Sequence, residues 1–294
     1  MTWLIIGRNG QLGQSLTLAL KERSIDFQAT GSKELDIRFP EQTLTFINSV
    51  KPSVIVNAAA WTNVDEAESN FDAAFAVNAL GVQNLAFAAK SLNAVFVQVS
   101  TDYVFSGLGS KPWIVDEECA PVTAYGKTKT AGEKETLENY SERSYVFRTA
   151  WLYSQWGKNF AKTMTRLALN QSEEHKEVKV VSDQVGQPTF ANDLANQIVD
   201  SVTSNLPFGI YHATNSGQVS WFDYAMEIFT FVNADTNRLI PIPSTEFPSK
   251  ATRPIFSVLD HEKWATTGIP AMRNWRSALA DAMPSIISAI KAEE

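Results

Sequence analysis

The sequence predicts an α/β fold: a doubly wound parallel sheet with a smaller C-terminal lobe interleaved with it. Three observations lead there. Five apolar, strand-length runs alternate with helix-length segments between Trp3 and Arg148, the β-α-β-α succession of a parallel sheet with right-handed crossovers. The first run ends in glycines 7, 10 and 13 and passes straight into a helical pattern. Finally, 294 residues that are 44% hydrophobic and 19% charged suit a globular chain able to bury a substantial core.

Trp3 to Ile6 reads as a short buried strand, and Gln11 to Lys21 as a helix with Leu12, Leu16 and Leu20 at helical spacing. The turn between them, Gly7-x-x-Gly10-x-x-Gly13, is a candidate anion site, because backbone N–H groups at a helix N-terminus point at a ligand that glycines allow to come close. It has one residue more between its first two glycines than the G-x-G-x-x-G fingerprint; packing alone is the other reading. Asp26 to Thr30 is the second strand. Its end, Thr30-Gly31-Ser32-Lys33, holds no acid before Glu34, whereas units that prefer the non-phosphorylated dinucleotide carry one there for the ribose 2′-hydroxyl. Arg8, Ser32 and Lys33 can instead bind a 2′-phosphate, which favours NADPH, with NADH as the alternative. Asp36 and Ile37 are placed for an adenine-side contact, or Asp36 caps a helix that starts at Pro40.

Val54 to Asn57 is a buried strand running into Ala58, Ala59 and Ala60, small residues that suit either a ligand or tight packing. A polar turn begins at Asp65, and Phe71 to Lys90 reads as one long helix. Val95 to Val99 is the next strand, ending in Ser100-Thr101-Asp102-Tyr103. Polar residues at the C-terminal end of a parallel strand sit where open α/β sheets bind ligands, although a threonine there, taken alone, is more often a cap or turn hydroxyl. A helix over Thr123 to Asn139 puts Tyr125 and Lys129 on one face. An ammonium beside a phenol favours the phenolate, so the pair is a candidate acid/base unit. Tyr145 to Arg148 is the fifth strand.

Beyond Thr149 the alternation loosens. Residues 1–150 are predicted to form a dinucleotide-binding domain, rejoined by a strand near 207–214, and 151–294 mostly a substrate lobe. That lobe contains helices over Asn159 to Asn170, Asn192 to Val202 and Ser220 to Phe231, the last with Trp221, Ala225 and Ile228 on one face. Irregular chain around Arg253 follows, then a closing helix from Asn274 to Lys291 interrupted by Pro284.

Composition excludes several classes. A net charge of −7 gives no basic field for nucleic acid. No apolar run approaches the ~18 residues of a membrane span, and the N-terminus lacks a signal-peptide pattern. Cys119 is alone, which suits a reducing compartment. His175, His212 and His261 are scattered, so no dedicated metal site is expected. A cytoplasmic protein is the expectation.

The glycine turn, the strand-end Thr101 and Tyr125-x-x-x-Lys129 together resemble the extended short-chain dehydrogenase/reductases. Finer motifs resemble one branch, the dTDP-4-dehydrorhamnose reductases of polysaccharide biosynthesis. They are Gly10-Gln11-Leu12-Gly13, Val54 to Ala60, Val64 to Glu68, Ser100 to Phe105, Tyr125 to Lys129, Phe147 to Trp151, Asn159 to Met164 and Arg253-Pro254. The resemblance implies NADPH-dependent reduction of C4 in a dTDP-linked 4-keto-6-deoxy sugar, dTDP-4-dehydro-L-rhamnose. It implies that the pyrophosphate lies on Gly10, Gln11 and Leu12, that Lys129 bonds the nicotinamide ribose and lowers the pKa of Tyr125, and that Tyr125 is the proton donor. Thr101 would bond the reacting oxygen. Asp102 and Trp151 would contact substrate, and Arg253 its diphosphate unless it serves a structural ion pair. Some relatives dimerise through magnesium held by acidic side chains; Gln14-Ser15 and Asn192-Asp193 stand in those regions, which argues against that bridge and leaves a monomer or homodimer. Another sugar-nucleotide epimerase or reductase, or a non-catalytic regulatory subunit, are the competing readings.

Overall fold

The computed structural model describes residues 2–170 and 176–293; His175 lies outside them. Strand β1 (Trp3–Ile6) is buried on both faces, as a central parallel strand must be. It leads through the glycine turn into α1 (Gln11–Glu22). Then follow β2 (Phe27–Thr30), α2 (Pro40–Val50) and the fully buried β3 (Val54–Asn57). Phe39, not Asp36, is the N-cap of α2, whose first residue is Pro40. The Asp36 carboxylate instead accepts hydrogen bonds from the Arg38 backbone N–H and side chain.

The long helix expected over Phe71 to Lys90 is broken. A short α3 (Val64–Ala67) precedes α4 (Phe71–Phe75); a π-helical turn covers Ala76–Leu80, and α5 (Gly81–Ser91) resumes. The buried side chain of Asn78 explains the break. Its Oδ1 accepts from the Trp61 N–H at 2.8 Å, while its Nδ2 donates to the Trp61 carbonyl and to Thr128 Oγ1, both at 3.0 Å. Such π-turns re-aim a side chain at the expense of regular helix. Here the side chain ties the loop after β3 to the next long helix.

Strand β4 (Val95–Thr101) is followed by α6 (Ala124–Tyr140) and β5 (Ser144–Thr149). The chain next forms β6 (Leu152–Tyr153), α7 (Phe160–Leu169), β7 (Val178–Val181), β8 (Val185–Gly186), β9 (Thr189–Phe190) and α8 (Ala191–Thr203). Strand β10 (Gly209–His212) returns to pair in parallel with β5. Then come β11 (Val219–Ser220), α9 (Trp221–Phe231), β12 (Leu239–Ile242) and α10 (Trp275–Lys291). Helix α10 runs without a break through Pro284. Ala282, Met283, Ile286 and Ile290 are buried on it, and their packing holds the helix across the hydrogen bond that proline cannot make.

The six-stranded sheet has the order β10-β5-β4-β3-β1-β2 and is parallel throughout, the doubly wound arrangement that the sequence predicts. The order reverses between β1 and β3, so the crevice for ligands opens there, at the strands' C-terminal ends. On one face the core joins Leu12, Leu16 and Leu20 of α1 to Leu194, Ile198 and Val202 of α8, with Trp264 and Met272 closing it. On the other face Ile47, Leu85 and Ala89 pack beneath α2 and α5. A separate cluster, including Tyr153, Phe190, Tyr224, Phe229, Trp275 and Met283, forms the interior of the C-terminal lobe. Among the described residues no helix is long and apolar enough to cross a membrane.

Candidate active site

The glycine turn is built for close approach. Gly7 has φ +90°, and a Cβ there would lie 2.7 Å from Ala59 N. A Cβ on Gly13 would lie 2.2 Å from Gly7 O, so Gly13 serves the packing of the turn and does not line the cavity. Gly10 meets only Gly7 O, at 3.4 Å. Gly10 is the N-cap of α1 and offers no side-chain cap, and no acid stands in the first turn, which leaves the first amides and the positive end of the helix for an anion. Gln11 spans to the lobe: its Oε1 accepts from Ser154 Oγ at 2.9 Å and Asn159 Nδ2 at 3.0 Å.

A cavity of about 910 Å³ runs over this turn and along the sheet edge. It brings together Gly7, Gly10, Gln11, Leu12, Ser32, Asp36, Ile37, Ala58, Ala59, Ala60, Thr101, Asp102, Tyr125, Lys129 and Trp151. Of the candidates read from sequence, Gly13, Lys33 and Arg253 do not line it, nor does Arg8. Arg8 donates to Glu34 at 2.7 Å, and Glu34 also accepts from the Gly31 N–H at 3.0 Å. That backbone bond, with Arg8 beside it, holds the Glu34 carboxyl below its ordinary value. An acid therefore does reach the end of β2, folded back from three residues beyond Gly31. Arg253 donates to Asp65 Oδ2 at 2.7 Å and to the hydroxyl of Tyr103, itself a cavity residue, at 3.3 Å. The structural ion pair is thus the one this geometry makes.

Helix α6 carries the central pair. Thr123 caps it through Gly126 N at 2.9 Å, and Glu68 accepts from Ala124 N at 2.8 Å, fixing the end where Tyr125 sits. Gly132 lets the helix lie against the π-turn, since a Cβ there would be 2.1 Å from Asn78 O. Lys129 is buried, and its ammonium donates to Val99 O at 2.6 Å. Burial pulls its pKa down to about 8, against an upward push from Glu133. Burial also pushes the Tyr125 phenol well up, and the group that opposes this is Thr101 through a hydrogen bond. Lys129 is not among the groups that lower Tyr125 here; one of the three N–H donors of its ammonium goes to the Val99 carbonyl.

Thr101 Oγ1 donates to Asp102 Oδ1 at 2.9 Å. Asp102 is buried to 2% exposure, and burial raises its pKa to about 6 against the opposing pull of the Ser257 and Thr101 hydroxyls beside it. Beneath the site Arg148 and Glu133 form a buried pair with bonds of 2.9 and 2.7 Å, and Ser100 donates to Glu133 at 2.5 Å. Burial, then the charge of Arg148, lowers neighbouring His212 to about 3, so it is neutral.

The cavity fits a dinucleotide. Its glycine turn leaves Gly10 open beside the uncapped start of α1, and the polar side chains of Thr101, Tyr125 and Lys129 stand at the far end of the same cavity. Sequence reasoning missed Asn9, Arg38 and Trp221 in this lining. Arg38 stands two residues after a candidate that was found. Trp221 directly follows the Ser220 cap, which bonds Asp223 N at 3.0 Å, but was read as part of a buried helix face; it is only half-buried. Among the described residues no group of three His, Cys, Asp or Glu side chains could hold a metal. Asp193 is engaged by Arg273 at 2.9 and 3.0 Å and by Asn215 at 2.8 Å.

Comparison with known proteins places this geometry. The family described as the RmlD substrate binding domain matches residues 1–287. The chain is 41% identical over 288 residues to a dTDP-4-dehydrorhamnose reductase of Streptomyces griseus, covering 97% of this chain and 93% of that one. A crystal structure of a dTDP-4-dehydrorhamnose reductase from Clostridium acetobutylicum superposes with a TM-score of 0.91 at 40% identity, over 97% of this chain and 99% of that one. The Bacillus anthracis dTDP-4-dehydrorhamnose reductase, solved in complex with NADP, gives a TM-score of 0.91 at 36% identity, over 96% of this chain and 98% of that one.

Proposed function

Because the chain belongs to the dTDP-4-dehydrorhamnose reductase family, we propose that it reduces the C4 keto group of dTDP-4-dehydro-L-rhamnose to give dTDP-L-rhamnose. The observation that carries this reading is the convergence of Thr101, Tyr125 and Lys129 in one cavity with the glycine turn Gly7 to Leu12. When bound, NADPH supplies the hydride.

The chain's own residues do the rest. Gly10, Gln11 and Leu12 receive the pyrophosphate at the uncapped start of α1. Ser32, Asp36 and Ile37, with Arg38, hold the adenosine side, and Ala58, Ala59 and Ala60 give the cofactor a smooth wall. Lys129 bonds the nicotinamide ribose. Tyr125 gives its proton to the C4 oxygen as negative charge develops there. A phenol that burial keeps protonated is in the state a reduction needs of its acid. Thr101 hydrogen-bonds the same oxygen. Asp102 and Trp151 contact the sugar, and we assign Arg253, which the ion pair with Asp65 holds beside the cavity residue Tyr103, to the substrate's diphosphate. In this reading residues 1–150 are the cofactor half and 151–294 mostly the substrate lobe. A cytoplasmic location, supported by the lone Cys119, and a monomer or homodimer go with it.

The test is to mix the purified protein with NADPH and dTDP-6-deoxy-L-lyxo-4-hexulose and follow the loss of reduced-nicotinamide absorbance. Turnover with dTDP-L-rhamnose as product is expected; no consumption would sink the reading. Tyr125→Phe is expected to lose at least ~10²-fold in turnover while NADPH binding stays nearly intact. Near-normal turnover of this variant would remove Tyr125 as the proton donor.

A further inference from the structure

Two indoles stand at the lobe side of the cavity. Trp151 and Trp221 stack with ring centroids 3.4 Å apart and planes within 8°, and both line the same cavity as Thr101, Tyr125 and Lys129. The wall they make starts close to the chemistry. Thr149, the last residue of β5, pairs in register with Thr101, and Trp151 is two residues further on.

The molecule holds this wall in place at some expense. Trp151 has φ +45°, a left-handed backbone that bulky residues rarely adopt and that persists at functional sites when surroundings enforce it. Gly186 makes room for it: a Cβ there would fall 2.5 Å from the Trp151 ring. The carbonyl of Trp151 accepts from Thr189 N at 3.2 Å. Trp221 is the first residue of α9, fixed by the Ser220 cap and backed by Phe160 at 4.5 Å.

Packing alone does not account for the pair. Both indoles are only half-buried, whereas the other large aromatics of the lobe, such as Tyr153, Tyr224 and Trp275, are at 1%. Neither indole N–H has a protein hydrogen-bond partner among the described residues, and neither is among the buried unpartnered atoms. Trp221 is packed between Trp151 and Phe160, so the pair turns apolar ring edges to the cavity, a surface that suits the C–H edge of a sugar.

We propose that Trp221 is a specificity-determining residue, which with Trp151 forms an apolar wall that receives the deoxygenated C5–C6 edge of the sugar. A methyl group is accepted against that wall, whereas a C6 hydroxyl there would lose its water without gaining a partner. The inference rests on the substrate reading above and assigns a recognition role to a residue of the lobe that stands outside the acid/base machinery.

The test is calorimetric titration of the NADP⁺-loaded enzyme with dTDP, dTDP-L-rhamnose and its 6-hydroxylated counterpart dTDP-L-mannose. The unmodified enzyme is expected to bind dTDP-L-rhamnose more tightly than dTDP, and more tightly than dTDP-L-mannose by about tenfold, the scale of discrimination at an apolar pocket. Trp221→Ala is expected to remove most of both differences while leaving dTDP affinity within about twofold. Trp221→Phe, which keeps the ring and the fold of α9, is expected to restore part of them. Unchanged discrimination in Trp221→Ala, or a parallel loss of dTDP binding in both variants, would overturn the proposal. If the unmodified enzyme gains nothing from the sugar, the substrate reading itself fails, and this inference with it.

Discussion

Asp102 shows at the scale of one residue what a buried carboxyl costs the fold. It is buried beside Thr101 and Ser257, with a pKa raised from 3.8 to about 6. A group whose folded pKa is raised binds more protons folded than unfolded between those two values, so stability falls as pH rises through the window. Above pH 6 the whole penalty is present, on the order of 3 kcal/mol for a shift of this size. Asp102→Asn is therefore expected to raise stability at pH 7 by roughly that amount, with the gain fading as pH falls from 6 towards 4, in denaturant titrations at both ends of the window. Equal stability of the two proteins at pH 7 would show that Asp102 carries no such burden. The same variant is expected to lose activity, the usual exchange where a strained group serves a site.

At the scale of elements, the pair between Glu133 on α6 and Arg148 on β5 joins the helix that carries Tyr125 and Lys129 to the sheet. Both side chains are almost fully buried, at 5% and 3%. Glu133→Gln leaves the guanidinium uncompensated and is expected to cost about 3–5 kcal/mol. Glu133 also pushes the Lys129 pKa up against burial. Activity that needs the Lys129 ammonium is present below its pKa and lost as pH rises through about 8. In Glu133→Gln that alkaline limb of kcat/KM is expected to move to lower pH, whereas a merely structural role would leave it in place. What the sequence made legible divides on the same line. Tyr125 and Lys129 were readable because four residues along a helix fix a shared face, and the glycine turn because it follows its strand directly. The π-turn at Asn78, the Glu133–Arg148 pair and the place of Trp221 were not, since each depends on a partner distant in the chain, and Glu34 stands beyond the end of β2 in the sequence, where its fold-back onto Gly31 leaves no mark in the residue order. Asn78 shows this well: nothing in Ala76-Val77-Asn78-Ala79-Leu80 disfavours a regular helix, and the contacts with Trp61 and Thr128 that break it lie 17 and 50 residues away.

At the scale of the whole molecule, one face of the sheet is covered from both halves of the chain. Tyr145 and Phe147 pack in the same cluster as Leu194, Ile198, Tyr211, Trp264 and Met272. A fragment ending at residue 150 would lack α8, β10 and these covering aromatics. It is expected to show helical far-UV signal without the near-UV fingerprint of fixed packing, while the full chain unfolds with coincident probes. A cooperative, fully packed fragment would refute the dependence. The return of β10 to the sheet also has a consequence during synthesis. The ribosome releases the strand that carries Phe147 well before the segments that cover it. At ~5–20 residues per second, roughly 6–25 s separate Phe147 from Met272. For that interval the nascent chain presents an uncovered apolar sheet with an open edge at β5, so its greatest exposure to chaperones and to neighbouring chains comes while it is still being translated.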